Sequence, residues 1–272
     1  MGERRTHRDS GRLIQSAVQS RAQSAIQSAI CNLKSAFHAA FDPVLSVLLA
    51  PACAACGQLL EHPTEGPVCE SCWRSILPLT PPVCDRCGDP LPTWRAISVP
   101  LARCPRCRRG NRHVDRARAV GGYEGALRAI VHALKYEGRR SLAQPLAELM
   151  RIRGADMLTG TDWAVPVPLH ASRRRERGFN QAADLARHLR MPVLGALRRH
   201  RNVRDAFALT RGLERQEGRE GLEGLEGATV VLIDDVSTTG ATLDACARVL
   251  KEAAGVREVR ALTAARVVTP PH

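Results

Sequence analysis

Eight cysteines fall as four Cys-x-x-Cys pairs, Cys53/Cys56, Cys69/Cys72, Cys84/Cys87 and Cys104/Cys107, within 55 residues of a 272-residue chain. A Cys-x-x-Cys turn offers two thiolates from one tight knuckle, and tetrahedral zinc needs four soft ligands converging on a point. Four pairs in series therefore predict two structural Zn²⁺ sites, each of four thiolates. Short intervening loops favour sequential pairing, Cys53/Cys56 with Cys69/Cys72 and Cys84/Cys87 with Cys104/Cys107, while spacing leaves a cross-braced arrangement open. Redox dithiols are the competing reading of each pair, but no βαβ context surrounds them. A disulfide framework would require an oxidising compartment. The segment is dense in Pro and Gly and poor in periodic apolar runs, so metal must stand in for a core there. His62 is expected on a surface loop, and Cys31 and Cys246 as packing residues.

Three segments are expected: residues 1–45 as a helical extension, 46–112 as the cysteine module and 113–272 as an α/β domain. The extension repeats Gln-Ser-Ala, and its apolar residues approximate one helical stripe. After residue 115 the pattern alternates. Strands are expected over 118–123, 163–168, 229–233 and 259–268, and helices over 126–136, 142–152, 181–189 and 241–254. Alternation of this kind predicts a parallel sheet flanked by helices. No apolar run is long enough to span a membrane. The polar start, Met1 to Arg12, does not read as a secretory signal, and the expected place is the cytoplasm.

Forty basic residues against twenty-seven acidic ones leave a net charge of +13. The surplus favours an anionic partner such as nucleic acid or a phosphorylated metabolite. Only three of the forty are lysines, so arginine-rich coding bias explains the balance equally well.

The sharpest local signal runs from Val230 through Asp234, Asp235, Ser237, Thr238, Thr239, Gly240, Ala241 and Thr242. A buried strand ends in two carboxylates, and a hydroxyl-bearing loop with a glycine then opens a helix. Backbone N–H groups and hydroxyls there make an anion cradle for a phosphate. Adjacent carboxylates can accept from vicinal sugar hydroxyls or hold Mg²⁺. A nucleotide-hydrolase acidic strand would need a Gly-Lys loop upstream, and the chain has no Gly-Lys pair. Phosphate plus ribose is the better reading.

This segment resembles the phosphoribosyl pyrophosphate (PRPP) motif of type I phosphoribosyltransferases. Other landmarks narrow the resemblance: the serial Cys pairs with Trp73, Leu134-Lys135-Tyr136, Val165-Pro166-Val167-Pro168-Leu169, Arg177-Gly178-Phe179-Asn180-Gln181-Ala182, and Asn202-Val203 with Ala206-Phe207. Together they resemble the ComF family, in which an N-terminal double zinc ribbon precedes a type I phosphoribosyltransferase-like domain and which is linked to DNA uptake in competent bacteria. The resemblance implies that Asp234 and Asp235 hold the ribose hydroxyls of PRPP. Ser237, Thr238, Thr239, Gly240, Ala241 and Thr242 would wrap its 5-phosphate. Val167, Pro168, Leu169 and His170 occupy the place of the pyrophosphate loop, and Arg173, Arg174 and Arg177 just beyond it could neutralise the pyrophosphate. Arg177, the favoured one, would serve with the two aspartates as a catalytic group. Asn180 and Gln181 are expected to cap and orient the following helix.

Implied cofactors are two Zn²⁺ and the Mg²⁺ that accompanies PRPP. Implied partners are PRPP or another phosphoribosyl ligand, single-stranded DNA, and a helicase of the competence machinery. Arg173, Arg174 and Arg175 are the nucleic-acid candidates, with a solvated basic helix start as the alternative. The function so implied is PRPP binding in the service of DNA uptake; the alternative is an active transferase of nucleotide metabolism acting on a nitrogen acceptor. One departure bears on turnover. Residues 197–201 run almost directly into Asn202-Val203, so the stretch corresponding to the mobile catalytic loop is short, and residues 214–227 carry a Gly-Leu-Glu echo instead. A truncated lid would leave the site wet.

Overall fold

The structure is a computed structural model that describes residues 51–91, 103–110, 112–199, 206–210 and 224–268. The chain divides into two compact units, residues 1–52 with 59–66, and residues 53–58 with 67–272. In the first unit, Ala52 bridges Leu59 and the Leu60 N–H donates to the Pro51 carbonyl at 2.9 Å. The helix expected over residues 1–45 lies outside the described residues, as do Asn202, Val203 and residues 211–223. The second unit carries the four Cys-x-x-Cys pairs and the α/β domain.

Its described elements run in chain order. Two short helices, α1 (Glu70–Arg74) and α2 (Pro105–Arg109), belong to the cysteine module. Then come β1 (Arg116–Gly122), α3 (Gly125–Tyr136), a 3-10 turn (Arg140–Leu142), α4 (Ala143–Arg153) and α5 (Ala155–Leu158). They are followed by β2 (Trp163–Pro166), α6 (Ala171–Arg177), α7 (Gln181–Arg187), β3 (Leu197–Arg199) and β4 (Phe207–Leu209). The last three are β5 (Thr229–Ser237), α8 (Ala241–Ala254) and β6 (Glu258–Arg266).

Four strands form one parallel sheet in the order β1-β6-β5-β2, as the alternating pattern predicts. The predicted stripe of α3 is the buried one: Leu127, Ile130, Val131 and Leu134 are all within 1% of complete burial. Strand β5 is buried on both faces over Val230, Val231, Leu232 and Ile233, which is why it reads as an unbroken aliphatic run. On one face Val230 and Leu232 share a core with Leu243, Cys246 and Leu250 of α8 and with Leu197 and Phe207 of the β3–β4 pair. Period-two alternation turns Val231, Ile233 and Asp235 to the opposite face.

Several boundaries differ from expectation. The strand expected to stop at Ile233 continues to Ser237 because β6 keeps pairing with it, Asp234 opposite Thr263 and Ser237 opposite Arg266. The strand expected over 163–168 ends at Pro166, since Pro166 and Pro168 have no N–H for a ladder. The helix expected to reach Leu189 ends at Arg187, where the His188 and Leu189 N–H groups tighten onto carbonyls three residues back, both at 3.1 Å. The antiparallel β3–β4 pair and helix α6 add to the expected elements.

Candidate functional site

Two clusters of thiols form from the bottom up. Cys53, Cys56, Cys69 and Cys72 gather in one, and Cys84, Cys87, Cys104 and Cys107 in the other, with sulfurs in each set within 4.8 Å of one another. Pairing is therefore sequential. Zinc–sulfur bonds of about 2.3 Å in a tetrahedron imply sulfur–sulfur edges of about 3.8 Å. Cys56 and Cys69 Sγ stand 3.8 Å apart, and Cys87 and Cys104 Sγ 3.6 Å apart. Backbone N–H groups of Ala55 and Cys69 donate to Cys53 Sγ, both at 3.4 Å, and that of Cys104 donates to Cys84 Sγ at 3.3 Å. Such donors favour thiolate over thiol. His62 lies outside both clusters, on an exposed stretch. The donor set fits two structural Zn²⁺.

The second cluster is joined to the sheet. Gly88 sits at φ 72°, and a Cβ on it would lie 2.7 Å from the Ala117 carbonyl oxygen, so only glycine lets the knuckle approach β1. The Ala117 N–H donates to the Arg86 carbonyl at 2.7 Å, and Arg118 Nη1 to the Asp85 carbonyl at 3.0 Å.

At the carboxyl end of the sheet, β5 delivers Asp234 and Asp235 side by side in sequence and, by strand alternation, on opposite faces. Asp235 is buried and pairs with Lys135 Nζ of α3 at 2.9 Å. Asp234 accepts from the Asp235 N–H at 2.9 Å. Withdrawal from solvent, and next the Asp235 charge, push its carboxyl up to about 8. Beyond Ser237 the chain turns through Gly240 at φ 76° into the 14-residue α8. Thr239 Oγ1 accepts from the Ala241 N–H at 3.3 Å, and Thr238 and Thr239 are exposed.

Residues 167–170 lie alongside. The Val167 N–H donates to the Ile233 carbonyl at 2.9 Å, and Asn180 Nδ2 donates to the Val167 carbonyl at 3.1 Å. His170 caps α6, its ring accepting from the Ser172 N–H at 3.3 Å. Asn180 caps α7 as expected, accepting from the Ala182 N–H at 3.0 Å. Arg177 lies over the Tyr136 ring at 4.8 Å and donates from Nη1 to Gln181 Oε1 at 3.3 Å. Arg177 Nε and Gln181 Nε2 are buried without hydrogen-bond partners. A cleft of about 590 Å³ opens beside Pro168 and Leu169, walled by Arg174, Arg198 and Arg199. Arg173, Arg174 and Arg175 are exposed on α6.

The structure thus brings together Asp234, Asp235, the 237–242 loop, residues 167–170 and Arg177. It adds Lys135 and Tyr136, which in the sequence stand only as family landmarks. Their signal was available: Lys135 is one of three lysines in a chain with forty basic residues. Cys246 packs in the core as expected, and burial raises its thiol.

Comparison with known proteins bears on this geometry. A family model described as "Double zinc ribbon domain" matches residues 44–108, and one described as "Phosphoribosyl transferase domain" matches residues 175–269. Competence protein F of Haemophilus influenzae is 26% identical over 230 residues, covering 75% of this chain and 93% of that protein. Competence protein ComFC of Bacillus subtilis is 27% identical over 207 residues, 73% of this chain and 84% of that protein. DNA utilization protein YhgH of Salmonella typhimurium is 28% identical over 211 residues, 67% and 83% respectively. Two tetra-cysteine sites thus stand ahead of a phosphoribosyl transferase domain, and along most of its length the chain is similar to proteins named for competence and DNA utilization.

Proposed function

We propose that this protein binds PRPP at the carboxyl end of β5 and serves DNA uptake, contacting single-stranded DNA through α6. The observation that carries the ligand reading is the continuous path from the two carboxylates through a left-handed Gly240 to the first turn of α8, with residues 167–170 beside it. Asp234 and Asp235 accept from the ribose hydroxyls. Backbone N–H groups and hydroxyls of residues 237–242 hold the 5-phosphate. The 167–170 segment meets the pyrophosphate, and Arg177 neutralises it. The orphaned Arg177 Nε and Gln181 Nε2 support a ligand that supplies acceptors there. Mg²⁺ accompanying the pyrophosphate would lower its charge, and Asp234 and Asp235 are the oxygen donors at hand. If transfer to a nitrogen nucleophile occurs, the chain contributes position and fixed charge around the anomeric carbon rather than a strong acid or base.

The DNA reading is supported by the relatives named for competence and DNA utilization, and by the exposed Arg173, Arg174 and Arg175, which make no ion pair among the described residues. Thiolate sites endure where cysteines stay reduced, which supports a cytoplasmic protein. Among the described residues no helix is long and apolar enough to cross a membrane.

Calorimetric titration of the full chain with Mg²⁺-PRPP tests the ligand reading. Asp235→Asn removes a charged acceptor worth about 1.5–3 kcal/mol, so affinity should fall roughly ten- to hundredfold. Unchanged affinity in the folded variant overturns the assignment.

A further inference from the structure

The second thiol cluster and the phosphate loop share side chains. Arg266, the last residue of β6, is 3% exposed and stands opposite Ser237 in the ladder. Its Nε pairs with the carboxylate of Asp89, two residues beyond Cys87, and its Nη1 donates to Ser237 Oγ at 3.4 Å. The backbone repeats the tie, since the Val267 N–H donates to the Ser237 carbonyl at 2.9 Å. From the far side of the same cluster, Arg106, between Cys104 and Cys107, sends Nη1 to the Thr239 carbonyl at 3.5 Å. Arg112 reaches the same oxygen at 3.4 Å. The next turn of α8 is held as well: Asp244 Oδ1 accepts from the backbone N–H of His113 at 2.8 Å and of Val114 at 3.3 Å.

We infer that the second zinc knuckle is a positioning element of the phosphate loop, acting through Asp89 and Arg266 on Ser237 and through Arg106 and Arg112 on Thr239. The inference rests on the reading of residues 237–242 as a phosphate site. Its physical content is simple. A buried guanidinium needs a carboxylate partner, and Asp89 is presented by a knuckle whose folding energy is the metal's binding energy. Loss of the knuckle leaves Arg266 buried with its charge uncompensated beside Ser237 and takes both donors from the Thr239 carbonyl. Loop geometry then no longer presents converging N–H groups. The arrangement makes metal occupancy at Cys84, Cys87, Cys104 and Cys107 a condition of phosphate binding, while the first cluster has no such link to the loop among the described residues.

The test is made on the full-length, zinc-loaded protein with Mg²⁺-PRPP as the probe, reading affinity by calorimetry and zinc by elemental analysis on the same samples. Asp89→Asn should keep two zinc ions per chain and bind PRPP about tenfold more weakly, one charge-assisted hydrogen bond's worth. Asp89→Glu should restore part of that loss. The decisive readout is non-additivity: in a Ser237→Ala background, Asp89→Asn should cost little more, because the route to the ligand is already cut. Additive losses would mean that Asp89 acts through general stability and would overturn the inference. If Asp89→Asn loses zinc, the deciding variant becomes Arg106→Ala with Arg112→Ala, which changes side chains outside the core. Wild-type affinity in that zinc-replete double variant overturns the inference; a several-fold loss upholds it. Failure of the phosphate reading looks different, since the wild type itself would then give no PRPP heat.

Discussion

Asp234 and Asp235 are neighbours in sequence with different surroundings, and strand alternation is the cause. Asp235 turns toward α3 and finds Lys135, with side chains 10% and 14% exposed. Removing one member of so buried a pair leaves the other uncompensated, a cost of about 3–5 kcal/mol. Asp235→Asn should therefore lower thermal stability as well as PRPP affinity, and only the affinity bears on the ligand. Asp234 turns toward α8 and Cys246, and its carboxyl titrates near 8 rather than near the ordinary 4. Between these values the folded protein holds a proton that the unfolded chain releases. Folding stability must then fall as pH rises from about 4 to about 8, by the linkage of one proton. Ribose hydroxyls donate better to a carboxylate than to a carboxyl, so Mg²⁺-PRPP affinity should rise as pH passes about 8. Titration calorimetry at pH 7 and 9 should find that rise in the wild type and not in Asp234→Asn; an equal rise in both rejects the assignment. The sequence displayed the two carboxylates plainly, but not their partners. Lys135 lies 100 residues away, and nothing local to either segment encodes the meeting.

Elements were legible in proportion to their length and period. Helix α3 showed its stripe and β5 its aliphatic run, because deep burial leaves few alternatives to Leu, Ile and Val. The β3–β4 pair was not legible, since strands of three residues carry no period, and its order comes from packing of Leu197 and Phe207 against α8. Both cysteine clusters were visible as spacing, but their unequal attachment was not. All four thiols of the second are buried, whereas Cys56 of the first is exposed. The second also makes the Gly88 contact with β1 and the Arg266 pair. Cys69→Ser and Cys104→Ser should consequently differ. Each should lose one zinc by elemental analysis. Cys69→Ser should leave the melting transition of the α/β domain nearly in place, while Cys104→Ser should lower it by several degrees, one buried ion pair being a large fraction of a domain's stability. Equal shifts in differential scanning calorimetry would show that the two knuckles are attached alike.

At the scale of the whole molecule the surplus of positive charge has to be reconciled with specific sites. Composition alone could not do so, because an arginine-rich chain spreads its charge whether or not a partner exists. The fold sorts it. Arg266 is consumed by Asp89, Arg140 and Arg187 by the buried Asp184, and Arg153 by the Ile76 and Val120 carbonyls. Arg173, Arg174 and Arg175 remain exposed on one short helix, with no ion pair among the described residues. Arginines that contact phosphates release counterions from a single strand, so log affinity falls linearly with log salt, by about 0.7 per phosphate neutralised. If these three residues meet the DNA backbone, replacing all of them with Ala should flatten the slope by about 2 and weaken binding alike for strands of unrelated sequence. Arg174 also walls the cleft beside Pro168 and Leu169, so Mg²⁺-PRPP affinity should fall in the same variant if that cleft takes the pyrophosphate. Arg175→Ala alone, on a residue that does not line the cleft, should leave that affinity unchanged. Fluorescence anisotropy with labelled oligonucleotides across a salt series reads the slope directly. A triple variant that keeps the full slope places the DNA contact elsewhere on the chain, and binding that does not vary with salt removes the backbone-tracking reading altogether.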